Sequence, residues 1–195
     1  DTAAIHHFGD TLVGFRRDHP TLTVRLLVQP SNALLDQLRA GEVDAIVCVD
    51  PDPDDRFVLE PLIGEPLYVY APPDVTIGAP KTWGPWVSFP AESRSRSLMA
   101  RRLRAQGIPF EVIAESSQPA VLKEMVRLGM GWTVLASVDA ETAPHPLHRA
   151  TNKPIAERML TLVRRADRIP NPALAALLGQ LRATADQPAA KRVRH

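Results

Sequence analysis

Several features that would indicate a particular class of protein are scarce in this sequence. Its 195 residues include one cysteine, Cys48, so they form neither an internal disulfide nor a thiolate metal cluster. The 23 basic residues balance the 22 acidic ones, which gives no overall reason to expect binding to nucleic acid or membranes. Aromatic residues make up 5%, so a ligand stacked between aromatic rings is not indicated.

Long apolar segments are missing as well. No stretch approaches the roughly 20 consecutive apolar residues of a membrane span. The first residues do not form the apolar region of a signal peptide, although a peptide removed earlier would leave no trace. The chain as given is therefore expected to be cytoplasmic and not membrane-bound. Its basic end, Lys191 to His195, is expected to be a solvated tail.

The sequence also lacks recognisable catalytic motifs. It contains no GxSxG, GxGxxG or Walker pattern, and the serines at positions 93, 95 and 97 have no histidine near them. Glu115 and His6 are the only candidates for a catalytic acid or base. An enzyme is thus the weaker interpretation, and no catalytic residue and no cofactor are predicted.

The metal-binding side chains do not occur at ligand spacing. His6 and His7 are adjacent, and His145 and His148 have no cysteine or carboxylate at a recognised distance. The acidic stretch Asp50–Asp55 resembles half a calcium loop, but two prolines interrupt it and its glycine and distal glutamate are missing. We expect no metal site.

The most informative stretch is Ser31–Asp50. Leucines at helical spacing predict a helix that Gly41 ends, and Val43–Val49 is almost wholly apolar. A strand without a polar face must be covered on both sides, as in a parallel sheet between helices. The strand stops at Asp50 and Pro51, and its carboxyl end is where open α/β sheets bind ligands.

The residues before Ser31 predict one more helix and one more strand. Apolar residues at helical spacing predict a helix over about His6–Asp18, and the alternation of Leu22, Val24, Leu26 and Val28 predicts a strand over Leu22–Gln29. Helix, strand, helix and strand in succession indicate an α/β fold with right-handed crossovers.

The later part of the chain predicts a second set of elements with a hinge before it. Pro72 and Pro73 follow an apolar run and are expected to form a stiff connector. The predicted strands are Phe57–Leu62, Pro66–Ala71, Trp83–Phe89, Phe110–Ala114, Trp132–Leu135 and Met159–Val163. The predicted helices are Ser97–Gln106, Pro119–Leu128 and Pro172–Thr184, and residues 136–152 are expected to be irregular.

Small polar residues recur where a strand leads into a helix. They are Ser31 and Asn32, Ser93 and Ser95, and Ser116, Ser117 and Gln118. Each serine has a simpler explanation, because serine commonly caps its own helix. If several such helix starts converge, their N–H groups and dipoles would hold a carboxylate or a similar anion.

Four ordered motifs resemble the effector-binding domain of LysR-type transcriptional regulators. They are FRRDHPTLTVRL, LLDQLRAGEVDAIVCV, EPLIGEPLYVYAPP and SSQPAVLKEMVRLGMGWTVL. The resemblance covers nearly the whole chain. It implies the type 2 periplasmic-binding-protein fold, in which two Rossmann-like α/β subdomains are joined by two crossover strands. By this resemblance, subdomain I of this chain would comprise residues 1–70 and 164–195, and subdomain II would comprise residues 71–163.

The resemblance also implies a ligand site and partners. A small-molecule effector, with a carboxylate as one candidate class, would bind in the cleft between the subdomains. The matching positions are Thr2, Ala3, Ser31, Asn32, Ser88, Ser93, Ser116, Ser117 and Gln118. Arg94 or Arg96 would add a charged pair. The family's homodimer or homotetramer contacts would involve Val13, Leu122 and Met125, which burial within one chain explains equally well.

Two features of the family have no counterpart in the sequence. The short strand that opens the family's domain is missing, so the chain is expected to be cut at its start. The winged helix-turn-helix is missing too, so this chain alone should not bind an operator. A solute-binding protein of a transporter, with the same fold, is the alternative interpretation.

Overall fold

The structure is a computed structural model that describes residues 2–187. The expected basic tail, Lys191 to His195, lies outside these residues. The helices are α1 Thr2–Asp18, α2 Ser31–Ala40, α3 Arg94–Ala105, α4 Pro119–Arg127, α5 Ser137–Ala140 and α6 Pro172–Ala185, with a 3-10 turn at Pro80–Thr82. The strands are β1 Ala45–Val49, β2 Phe57–Tyr70, β3 Trp86–Ser88, β4 Val112–Glu115, β5 Thr133–Ala136 and β6 Ala156–Arg165.

The described chain forms two compact units. One contains the residues up to Ile63 together with those from Met159 onward, and the other is Gly64–Arg158. Both boundaries fall inside strands, because β2 and β6 each contribute residues to both units. The expected subdomain limits at 70/71 and 163/164 lie further along the same two strands and stay a prediction.

In the first unit, β1 is covered on both faces, as its apolar sequence predicts. Ile46 and Cys48 pack in a cluster with the three buried leucines of α2. Val49 packs in a second cluster that includes Phe8 of α1 and Leu178 of α6. The helix α2 ends as expected at Gly41, whose φ of 75° is the left-handed conformation that glycine favours.

The strand pairing in this unit differs from the expected parallel sheet. β1 pairs antiparallel with β6, in a register that places Ala45 opposite Arg164 and Val49 opposite Leu160. A strand buried on both faces is compatible with either direction, because the apolar pattern reports coverage by helices and not the direction of the neighbouring strand.

The predicted strand Leu22–Gln29 is not formed. These residues are in no ladder of the described chain, and Leu26 and Val28 are about half exposed. Alternating apolar residues fit a strand, but a strand also requires a neighbour with matching hydrogen-bonding groups. Leu27, on the other side of this segment, packs against the cluster around α2.

In the second unit, helices α3 and α4 contribute to the same core as the strands. Leu103 and Leu122 are fully buried together with Trp86 of β3 and Leu67 of β2. β3 and β4 are parallel, and β2 pairs antiparallel with β5. The predicted strands Phe57–Leu62 and Pro66–Ala71 are one continuous strand, β2, and the irregular stretch 136–152 contains the short helix α5.

Candidate functional site

In the first unit, Ser31 joins the start of α2 to the end of β1. The hydroxyl of Ser31 accepts a hydrogen bond from the backbone N–H of Val49 at 3.1 Å. The residue before the helix is Pro30, which has no side chain able to cap it. The sequence-based expectation that this serine caps its own helix is therefore wrong. The first turn of α2 keeps backbone N–H groups that no side-chain cap covers.

The start of α1 belongs to the same unit. Ala3 is fully buried and packs in the cluster that contains Val49, so the beginnings of α1 and α2 both adjoin the end of β1. The methyl group of Ala3 is part of this core. The residue can therefore contact a ligand only through its backbone atoms. Asn32 is exposed in the first turn of α2, and Thr2 is the first residue of α1.

In the second unit, Ser88 and Ser116 meet at the carboxyl ends of β3 and β4. The N–H of Ser116 donates to the carbonyl oxygen of Ser88 at 3.1 Å. The hydroxyl of Ser116 accepts from the N–H of Gln118 at 3.1 Å, which shapes the turn that leads into α4. Ser117 and Gln118 are exposed in that turn, and the side chain of Gln118 does not cap α4.

Helix α3 reaches the same edge through Arg96. Its guanidinium donates to the carbonyl oxygen of Phe89 at 3.1 Å and to the carboxylate of Glu115. Phe89 follows β3 and Glu115 ends β4, so the first turn of α3 is attached to both strand ends. Ser93 precedes α3 without capping it through its side chain.

The nine predicted positions thus form two groups, one in each unit. Thr2, Ala3, Ser31 and Asn32 belong to the first unit, and Ser88, Ser93, Ser116, Ser117 and Gln118 belong to the second. The first group lies near the end of β1, and the second lies near the ends of the parallel strands β3 and β4, where helices begin. Such an edge presents hydroxyls, helix N-termini and, in the second unit, a guanidinium.

A buried ionic cluster in the second unit had no signal in the sequence. Arg158, Glu65 and Asp139 are almost completely buried and lie together, although up to 93 positions separate them along the chain. Residues so distant in sequence form no local motif, and only the fold brings them into contact.

Among residues 2–187, no three His, Cys, Asp or Glu side chains are grouped so that they could hold a metal ion. No helix within this range is sufficiently long and apolar to cross a membrane.

A family comparison identifies the architecture. Residues 1–186 match the model of the LysR substrate binding domain. The chain belongs to the LysR substrate-binding domain family. This is a family of regulator domains and not of enzymes. The resemblance inferred from the four motifs is confirmed, as is the fold class.

Two curated relatives of this LysR domain are transcriptional regulators. The uncharacterized HTH-type transcriptional regulator YfeR of Shigella flexneri is 28% identical over 178 residues, which are 86% of this chain and 57% of the relative. The HTH-type transcriptional regulator BbuR of Bordetella bronchiseptica is 28% identical over 126 residues, 61% of this chain and 39% of the relative. The chain therefore spans about half or less of their lengths. A transporter's solute-binding protein is not favoured.

Solved structures share the fold of this LysR domain. The CcmR regulatory domain of Synechocystis, in complex with 2-PG, superposes with a TM-score of 0.81 at 19% identity, covering 95% of this chain and 94% of that one. The effector-binding domain of QuiR, in complex with shikimate, gives a TM-score of 0.75 at 14% identity and covers 92% and 90%. At these identities the likeness establishes the fold.

Proposed function

We propose that this domain binds a small-molecule effector and thereby controls transcription in a longer regulator. The DNA-binding winged helix-turn-helix would belong to that longer protein, which would act as a homodimer or homotetramer in the cytoplasm. The curated relatives, which are HTH-type regulators of greater length, support this proposal.

The observation that carries the proposal is the pair of polar strand ends, one in each unit. Ser31 binds the end of β1, and Ser88 and Ser116 are hydrogen-bonded at the ends of β3 and β4. We propose that these strand ends supply the polar groups that recognise an effector. Its binding would favour one arrangement of the domain over another by its difference in affinity for the two arrangements.

We propose a carboxylate as the effector's anchoring group. The helices α2, α3 and α4 all begin without a side-chain cap, so their first turns present backbone N–H groups with the positive end of the helix dipole. Arg96 adds a guanidinium that is 20% exposed and already bound to the carboxylate of Glu115. The solved relatives bound to 2-PG and to shikimate are compatible with this class.

A thermal-shift screen tests the effector proposal. The purified chain would be heated with amino acids, aromatic and aliphatic carboxylates, and sugars. A ligand present at about 100 times its Kd adds about 2.7 kcal/mol to the free energy of unfolding, which raises the Tm by several degrees. We expect a carboxylate to do so, and we expect both Ser31→Ala and Ser117→Ala to weaken its shift.

Matched controls locate the binding. Thr21→Ala and Thr142→Ala remove exposed side-chain hydroxyls, one in each unit, at positions that are not among the nine predicted ones, and should leave the shift unchanged. A shift that persists in both serine variants would refute the proposed site. A screen in which sugars alone stabilise the chain would refute the carboxylate class while leaving the sensor function intact.

We also propose that the domain has no catalytic activity. Glu115 and His6 are the candidates for an acid or base, and Glu115 is bound to Arg96. Replacing both with alanine should leave ligand binding largely intact. Conversion of a stabilising ligand to a product by the parent chain, lost in this double variant, would contradict the proposal.

A further inference from the structure

Arg158 lies at the point where two strands pass from one unit to the other. It is the last residue of the unit Gly64–Arg158, and Glu65 is the second residue of the same unit. The Nε of Arg158 donates to Oε2 of Glu65 at 2.5 Å. Both side chains are 2–3% exposed, so this ion pair is shielded from water.

The same guanidinium contacts two helices. Its Nη1 lies 3.4 Å from the hydroxyl of Ser95 in the first turn of α3, and its Nη2 lies 3.6 Å from Oδ2 of Asp139 in α5. Ser95 and Asp139 are buried as well. One side chain therefore connects β6, β2, α3 and α5.

Stability by itself does not account for such a cluster. Removing charged groups from water is costly, and an apolar set of the same volume is often equally stable or more so. A guanidinium does provide several donors in a fixed plane, which an apolar side chain cannot do. Buried ionic groups are useful where they select one packing arrangement over others.

We propose that Arg158 is a positioning residue that couples the first turn of α3 to the two crossing strands. Arg96 and Ser93 belong to that end of α3, next to Ser88 and Ser116. The polar strand ends of the second unit then cannot shift without disturbing β2 and β6. The regulatory meaning of this coupling rests on the proposed effector-sensing function, whereas the coupling itself does not require an effector.

Hydrogen–deuterium exchange of the ligand-free chain tests the coupling. Arg158→Lys keeps the positive charge but removes the planar guanidinium, whose nitrogen atoms contact Glu65, Ser95 and Asp139. Ser95→Ala removes the contact to α3 and leaves the ion pair in place. We expect exchange of the N–H of Ser97, which is bonded to the carbonyl of Ser93, to rise about tenfold in Arg158→Lys and severalfold in Ser95→Ala.

Two control variants and one reference strand complete the experiment. Arg182→Lys alters an exposed pair with Glu60, and Arg102→Lys changes an exposed side chain of α3 without touching the measured amide. Neither should change exchange in the first turn of α3 as Ser95→Ala does, and β5 should stay protected in every variant. Unchanged exchange in α3, or an equal rise in α3 and β5, would overturn the proposal. Because no effector is used, a failed effector screen leaves this result standing.

Discussion

Ser31 accepts a hydrogen bond from the N–H of Val49 at 3.1 Å and so ties the beginning of α2 to the end of β1. The bond crosses 18 positions of the chain and is partly buried. A backbone donor at the end of a buried strand requires a partner. The hydroxyl thus serves the strand, and the first turn of α2 is left without a side-chain cap.

Ser31→Ala should lower the free energy of unfolding by about 1 kcal/mol, because the N–H of Val49 loses its acceptor. Urea unfolding followed by circular dichroism would measure the change. The control Thr21→Ala, at an exposed position of the same unit, should stay within about 0.5 kcal/mol of the parent. Equal effects of the two changes would mean that the bond to Val49 contributes nothing to stability.

Gly131→Ala should destabilise the chain by about 1–3 kcal/mol through overpacking. A Cβ at this position would lie 2.7 Å from the carbonyl oxygen of Pro85, and that oxygen also accepts the N–H of Trp132 at 2.8 Å. Backbone cannot give way as a flexible side chain can. Urea unfolding is again the measurement.

Gly179→Ala is the matched change in an open position. Nothing lies within 4 Å of a Cβ there, and the residue is exposed within α6. Alanine should stabilise this helix by up to about 1 kcal/mol. Destabilisation by both substitutions would show that the contact with Pro85 is not the cause at Gly131.

The protein should become less stable in acid, in part because the carboxylate of Glu141 becomes protonated. Burial by itself would raise the pKa of this carboxyl, but hydrogen bonds from Arg149 and Tyr70 outweigh it and hold the pKa below its ordinary value of 4.5. The folded state then binds fewer protons than the unfolded state. This contribution is present above the ordinary pKa and is lost as the pH falls through the lowered value.

Glu141→Gln should therefore reduce the slope of stability against pH as the pH falls below the ordinary carboxyl pKa of 4.5. Tyr70→Phe, which removes one of the donors, should reduce it less. The free energy of unfolding would be measured by urea titration at several pH values. An unchanged slope in Glu141→Gln would contradict the expectation.

Val13→Glu should weaken self-association by about tenfold or more without lowering the free energy of unfolding. Val13 and Ile5 share one face of α1 and are 69% and 42% exposed, whereas Leu122 of α4 is fully buried and serves the core of its own unit. Sedimentation over a range of concentrations would measure the change. Val75→Glu, at an exposed apolar position outside the helices, is the control. If both changes weakened association equally, the exposed face of α1 would not be the surface through which the chain associates.

Local patterns in the sequence were sufficient to predict the longer helices, but not the short helix α5. The spacing of leucines in α2 and the stop at Gly41 depend on residues within a few positions of one another, so they are legible in the sequence. The start of α1 lies at Thr2, before the predicted His6, because no strong signal marks its first turn. The ordered motifs likewise allowed the family to be identified, since they preserve both residue type and spacing along the chain.

Contacts between distant parts of the chain were decided by the tertiary structure. The antiparallel neighbour of β1 is β6, more than a hundred positions away, and an apolar run does not specify its partner. The residues Leu22–Gln29 have the alternation of a strand, yet pairing depends on a neighbour that the described chain does not provide. Ser31 and Val49, and Arg158 and Glu65, meet for the same reason: hydrogen-bonding and charged groups are satisfied in three dimensions, whereas periodicity records only which face of each element is buried.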